Sequence, residues 1–401
     1  MAGKKIPITL FAGYLGAGKT TLLNHVLTNQ KGYKVAVIVN DIGEVNVDQT
    51  LIEKGANITD TSSLVPLTNG CICCTLKTDL VQQIEKLIKT KKYDYILIEA
   101  SGVCEPMPIA QSLLDINGGY IDGVISVVDA ARMADEFDDG KALVSGKVDE
   151  EDIESLLIQQ IEFCNKIILN KMDLVNEDQK KKILAVIKKI QPNAEIFETT
   201  KCNIDVEKVI GTSQFDFEKV YASAGWVAEL NKADHEDDDD DDDHDEHEHH
   251  HDHEDHDHHH EHEHHHEHKH EGEEEDEYGI SSFVYYRRHA FDRQKLDKVA
   301  DQWPRSIIRC KGVMWFNDET DMAWILETSG KQISVGYSGP WLATAPKRQQ
   351  EEILRKDEET RKNWDEKYGD RMIKLVIIGT HMDKKAISDL IDTALADDDR
   401  I

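Results

Sequence analysis

The run Gly13-Tyr14-Leu15-Gly16-Ala17-Gly18-Lys19-Thr20 constrains this chain more than any other feature. It fits G-x-x-x-x-G-K-[ST], follows a short apolar stretch at 6–12 and opens a helical pattern at 20–28, the context that the motif requires. Glycines let backbone N–H groups come close to a phosphate chain, and the helix N-terminus adds partial positive charge. Lys19 is expected on the β- and γ-phosphates, and the Thr20 hydroxyl on a Mg²⁺ ion. The expected phosphate contacts are therefore Gly13, Gly16, Ala17, Gly18, Lys19, Thr20 and Thr21. A glycine-rich turn that matched by chance would have no reason to lie between a strand and a helix.

The pattern around this loop predicts an α/β fold. Apolar runs at 6–12, 34–39, 95–98, 123–128, 166–169 and 194–198 read as strands buried in a parallel sheet, with helical stretches at 20–28, 76–89, 152–164 and 177–190 between them. Alternation of this kind implies a doubly wound P-loop NTPase domain with a mostly parallel sheet, whose ligands bind beyond the carboxyl ends of the strands. A second pattern begins after Tyr278, with strands expected at 281–288, 306–316, 322–327, 331–336 and 372–378 and helices at 292–300, 347–363 and 384–395. It predicts a smaller α+β domain. The expected division is 1–225 for the nucleotide domain, 226–278 for a linker and 279–396 for the C-terminal domain.

The linker is compositionally extreme. Residues 234–277 comprise 25 acids, 17 His, Lys269 and Gly272, so they carry −24 of the chain's net charge of −32. With no apolar residue the tract cannot offset the entropy of ordering, and disorder is expected. The remaining −8 gives no electrostatic reason to expect nucleic acid or an anionic membrane as partner. No apolar run is long enough for a membrane span, and the N-terminus does not resemble a signal peptide. The odd count of seven Cys fits a reducing compartment, so a cytoplasmic location is expected.

Further motifs extend the nucleotide site. The apolar strand before Glu99 is followed by Gly102, so Glu99 is a candidate Mg²⁺ contact and candidate catalytic residue, and Gly102 a donor to the γ-phosphate. The segment Asn40-Asp41-Ile42-Gly43-Glu44 offers Asp41 as another Mg²⁺ contact and Glu44 as a metal contact. Either acid alone would read as a solvated loop residue. Asn170-Lys171-Met172-Asp173 follows a strand. Asp173 can accept from guanine N1–H and the 2-amino group, which adenine lacks, so ATP would leave a carboxylate unpaired. Lys171 can cover the base plane and Asn170 can hold the loop, with Thr199-Thr200-Lys201 a candidate to complete the pocket. The order of motifs favours GTP over ATP.

Cys71, Cys73 and Cys74 form a cluster before a helix. Thiolates there have lowered pKa and bind borderline metals such as Zn²⁺, which takes four ligands. Glu44 is the candidate fourth. Packed core thiols and redox thiols are the competing readings. Cys104, Cys164, Cys202 and Cys310 read as plain core or surface residues.

Together, GYLGAGKTTLLNHVL, NDIGEVNVD, NGCICCTL, LIEASG and NKMDL resemble the CobW-type family of metal-handling P-loop GTPases, and the resemblance extends to GISSFVYYRRHAFD, PRSIIRCKGVMWF and IKLVIIG. It implies a P-loop domain followed by a His-rich insert and a smaller domain. It further implies slow GTP hydrolysis with Mg²⁺, and Zn²⁺ or Co²⁺ at Cys71, Cys73 and Cys74. The implied partner is a client metalloprotein, with a homodimer left open. Two functions follow: a GTP-dependent metallochaperone, or a metal buffer that relies mainly on the His tract while the GTPase regulates. A small-molecule kinase is disfavoured by N-K-x-D.

Overall fold

Strands such as Tyr95–Glu99 are buried along their whole length, and the sheet that they build is covered on both faces. The structure, a computed structural model, describes residues 5–29, 32–39, 64–66, 77–137, 151–227, 229, 279–329 and 332–399. The first half runs β1 (Ile6–Ala12), α1 (Lys19–Thr28), β2 (Val35–Val39), β3 (Leu64–Pro66), α2 (Lys77–Thr90), β4 (Tyr95–Glu99) and α3 (Pro106–Ser112). It continues with β5 (Gly119–Asp129), α4 (Ala130–Phe137), α5 (Glu151–Glu162), β6 (Lys166–Asn170), α6 (Glu177–Ile190), β7 (Glu195–Glu198) and α7 (Phe217–Ala222). Among the described residues the seven strands are ordered β3-β2-β4-β1-β5-β6-β7, and every pairing is parallel.

Alternation along the strands assigns the two faces. Ile8, Leu10, Ile96 and Ile98 pack with Leu80, Ile109, Met133, Ile161 and Ile187 from α2 to α6. Phe11, Val37 and Leu97 pack with Leu22, Leu23 and Val26 of α1. Each such side chain contributes about 1.5–3 kcal/mol on burial. β1 lies between β4 and β5, so the loop after it opens at the point where successive connections diverge across the sheet.

The second half runs β8 (Ile280–Arg287), α8 (Arg293–Ala300), β9 (Ile307–Phe316), β10 (Glu319–Ser329), β11 (Gln332–Pro340), α9 (Lys347–Lys356), α10 (Glu358–Lys362), β12 (Ile373–Thr380) and α11 (Lys384–Asp392). Its strands form an antiparallel sheet ordered β11-β10-β9-β12-β8, giving the smaller α+β domain. Two of its residues, Ile280 and Ile308, belong to the hydrophobic cluster of the first sheet. The buried Arg309 of β9 bonds to Glu162 of α5, so the two halves also meet through an ion pair.

Some local expectations fail. The single helix expected over 347–363 divides at Asp357, whose backbone leaves the helical region and whose Oδ1 accepts from Thr360 N. That local bond caps α10 and competes with continuation of α9. α3, α4 and α7 were not expected; each is eight residues or fewer, too short for a clear periodic pattern. The acidic/His residues 234–277 lie outside the described residues. No helix among the described residues is long and apolar enough to cross a membrane.

Candidate functional site

Beyond β1 the backbone turns through Gly13 (φ 139) and Gly18 (φ 118), in the left-handed region that strains a side chain. Space is equally restrictive. A Cβ on Gly13 would stand 2.3 Å from the Val127 carbonyl oxygen, and one on Gly18 2.6 Å from Asn170 Nδ2. Gly18 caps α1 without a side-chain bond, so its first-turn N–H groups are not taken by a capping side chain. Lys19 is buried, and its ammonium donates to the carbonyls of Gly13 at 2.7 Å and Tyr14 at 3.2 Å. Gly16 and Thr21 are exposed.

Thr20 Oγ1 donates to Glu99 Oε1 at 3.1 Å, which brings the candidate Mg²⁺ ligands of β4 and α1 together. Both are oxygen donors, the set that a hard cation takes. Gly102 follows, and a Cβ there would stand 2.8 Å from Leu15 N, so the loop after β4 lies directly against the phosphate loop.

The Asn170-to-Asp173 turn meets the phosphate loop from the other side. Asn170 Nδ2 donates to the Ala17 carbonyl at 2.9 Å, while its Oδ1 accepts from Cys202 N at 2.9 Å and Thr199 Oγ1 at 3.1 Å. Lys171 adopts φ 64 and pairs with Asp129 at 2.5 Å. Asp173 is exposed and makes no hydrogen bond among the described residues, which leaves its carboxylate available to a ligand. Thr200 is exposed, and Lys201 and Cys202 both have positive φ.

Asp41, Glu44, Cys71, Cys73 and Cys74 lie outside the described residues. Among the described residues, no group of three or more His, Cys, Asp or Glu could hold a metal ion. The strands leading to those segments are described. Val39, the last residue of β2, pairs with Glu99 on one side and Pro66, the last of β3, on the other.

Several residues at the site were not singled out from the sequence. Asp129 caps α4 through the N–H groups of Ala131 and Arg132 as well as pairing with Lys171. The Arg132 guanidinium lies 4.4 Å from the centre of the Tyr14 ring in the phosphate loop. Cys202 is not a bystander: its thiol donates to the Gly18 carbonyl at 3.4 Å, and burial pushes it up to about 12. Cys164 and Cys310 are buried thiols held protonated by burial, and Cys104 is buried in the hydrophobic core of the first sheet. A cavity of about 480 Å³ lined by Cys164, Asn165, Asn193 and Glu195 opens at the amino ends of β6 and β7, away from the phosphate loop.

Two family profiles match the chain: "CobW/HypB/UreG, nucleotide-binding domain" over residues 7–198 and "Cobalamin synthesis protein cobW C-terminal domain" over 280–395. The chain is 33% identical over 421 aligned residues to the zinc-regulated GTPase metalloprotein activator 1 of Dictyostelium discoideum, covering 98% of this chain and 81% of the relative. It is 34% identical over 223 residues to the zinc chaperone YjiA of Escherichia coli (strain K12), covering 53% of this chain and 64% of that one. The crystal structure of Zn(II)-bound YjiA GTPase from E. coli aligns over 98% of this chain and 99% of that one, at 21% identity and a TM-score of 0.39, too loose a likeness for comparison of residues.

Proposed function

The chain belongs to the CobW/HypB/UreG family and is a P-loop GTPase with a CobW C-terminal domain, and on that premise we propose that it is a metallochaperone whose zinc site is governed by the nucleotide. In this reading Cys71, Cys73 and Cys74 bind Zn²⁺ as cargo with Glu44, and the ion passes to a client metalloprotein. Co²⁺ is the second candidate cargo. The names of the Dictyostelium and Escherichia relatives, a zinc-regulated activator and a zinc chaperone, support zinc.

The chain's own groups would act on GTP as follows. Lys19 leaves the Gly13 and Tyr14 carbonyls for the β- and γ-phosphates, and Gly102 N–H donates to the γ-phosphate. Asp173 accepts from the guanine edge, and Asn170 keeps that turn in register with the phosphate loop. Thr20 and Glu99, with Asp41, would hold Mg²⁺, which when bound neutralises charge on the phosphate oxygens.

The observation that supports the coupling best is the pairing of Val39 with both Glu99 and Pro66. The chain continues from Val39 to Asp41 and Glu44, and from Pro66 to the three thiols, so the first segment starts beside the candidate Mg²⁺ ligand Glu99 and the second one strand further along the same sheet edge. Residues 234–277 would serve as an accessory that raises local metal concentration through many exchangeable imidazole sites.

The test is zinc affinity in the apo, GDP and GTP-analogue forms, for the full chain and for a variant lacking 234–277. The tightest site should respond to nucleotide and disappear in Cys71→Ser, Cys73→Ser and Cys74→Ser. Equal affinity in all three nucleotide states would overturn the coupling. Loss of zinc-dependent function on deletion of the tract, with none in Lys19→Ala, would favour a metal buffer instead.

A further inference from the structure

Helix α5 lies between the loop after β4 and the second sheet, and it bonds to both. Gln160 is almost wholly buried, and its Nε2 donates to the carbonyls of Gly102 at 3.1 Å and Cys104 at 3.2 Å. A single amide thus clamps the turn that carries Gly102. Glu162 comes two residues later. Residues two apart on an α-helix diverge by about 160°, so Glu162 does not share the Gln160 contact and instead faces a crevice that it lines with Glu105, Lys311 and Glu327.

There it meets Arg309 of β9. Arg309 Nε and Nη2 donate to the two Glu162 oxygens at 3.2 and 2.7 Å, a bidentate geometry that fixes both side chains. Arg309 also bonds to Glu327 and to the Thr328 carbonyl of β10, and it is 1% exposed. A buried guanidinium with this many partners has little freedom to release one of them alone. Glu105, which precedes α3 and follows the Gly102 turn by three residues, shares the crevice with Glu162, Lys311 and Glu327. The same turn touches the phosphate loop at Leu15.

We propose that the second sheet sets the position of the Gly102 turn through α5, with Gln160 the positioning residue at one end and Arg309 the anchor at the other. The proposal rests on the reading that Gly102 faces the γ-phosphate. It gives the C-terminal domain a part in the nucleotide cycle. Whatever binds or shifts the second sheet changes affinity for GTP more than for GDP, and by reciprocity GTP changes affinity for that partner. The alternative is that Gln160 only satisfies two buried carbonyls.

The experiment uses the full chain as wild type, Gln160→Met, Arg309→Lys and the double variant. Dissociation constants are measured for GDP and a non-hydrolysable GTP analogue, with kcat and KM for GTP and a thermal unfolding curve for each. Gln160→Met keeps the volume and loses the two donations. It is expected to weaken analogue binding by about fivefold or more while GDP binding changes little. Arg309→Lys keeps the charge and loses the fork, and should move the same ratio in the same direction. The double variant should be no worse than Gln160→Met, because both changes cut one link.

Equal losses for GDP and the analogue would overturn the proposal, as would effects in the double variant that simply multiply. Should Gln160→Met fail to fold, Glu162→Gln is read by the same ratio, and an unchanged ratio there overturns the link. A wild type that bound GDP and the analogue alike would sink the reading of Gly102 together with this proposal. A discriminating wild type with an equally discriminating Gln160→Met would sink this proposal alone.

Discussion

Asn170 Nδ2 donates to the carbonyl of Ala17 at 2.9 Å, joining a turn after β6 to the phosphate loop after β1 across 153 residues of sequence. The same side chain accepts from Cys202 N and Thr199 Oγ1. One amide therefore sets the spacing between the place where a base would be read and the place where its phosphates would lie.

Asn170→Ala should be costly for that reason. It leaves the buried Cys202 N–H and Thr199 hydroxyl without this acceptor, and each orphaned buried group costs about 1–3 kcal/mol. The expected result is a lower unfolding temperature together with weaker binding of GDP and GTP alike. Unchanged nucleotide affinity in a folded Asn170→Ala protein would show that the spacing is held elsewhere.

Asp173→Asn should alter base choice with little effect on stability, because Asp173 is exposed. The new amide can turn only one acceptor toward two guanine donors and loses the charge. Loss of charged hydrogen bonds of about 1.5–3 kcal/mol corresponds to roughly ten- to a hundredfold weaker GTP binding. Competition with ATP checks the result, and an unaltered GTP-to-ATP preference would remove Asp173 from the base pocket.

Gly13→Ala combines two strains, since Gly13 has φ 139 and its Cβ would lie 2.3 Å from the backbone oxygen of Val127. Backbone does not give way as a side-chain tip does. A loss of about 1–3 kcal/mol is expected, with nucleotide binding lost along with the loop's shape. Denaturant unfolding and nucleotide titration measure the two effects; a variant with wild-type values for both would contradict the loop geometry.

Glu105 and Glu327 line one crevice and titrate in opposite senses. Burial, aided by the charge of Glu327, raises Glu105 above the ordinary carboxyl value. Burial also works to raise Glu327, but Arg309 and Lys311 outweigh it and hold it low. The raised group contributes stability below its unfolded pKa and loses it as pH rises through the folded value. The lowered one contributes above its unfolded pKa and loses it as pH falls through the folded value. Glu105→Gln should therefore stabilise the protein at neutral pH, with the gain vanishing as the pH falls below the carboxyl range near about 4. Unfolding midpoints across that range test it, and a gain independent of pH would assign the effect to packing.

Six of the seven described strands of the first sheet were legible because they are apolar runs bounded by turns, whereas the three-residue edge strand Leu64–Pro66 was too short to show such a run. Lys166–Asn170 and Glu195–Glu198 differ from the expected strands by one residue. Contiguous motifs such as Gly13 to Thr20 showed themselves for the same reason: strand, loop and helix follow in one stretch of chain. What stayed hidden was assembled by sheet order. Asp129 is beside Lys171 because β5 neighbours β6, and Gln160 reaches Gly102 because α5 packs against β5, neither of which spacing reveals. The break at Asp357 was missed because a single side-chain bond to Thr360 N decides it within a run of good helix formers.

Ile280 and Ile308 complete the hydrophobic cluster of the first sheet from the far side of the tract at 234–277. During translation that part of the core has no cover until the ribosome has made more than a hundred residues beyond β7. At ordinary synthesis rates this takes roughly ten seconds. The stretch that emerges in the interval carries 25 acids, and like charge holds neighbouring nascent chains apart. The order of the chain thus places a repellent segment in the window when its own unfinished surface is most prone to aggregate.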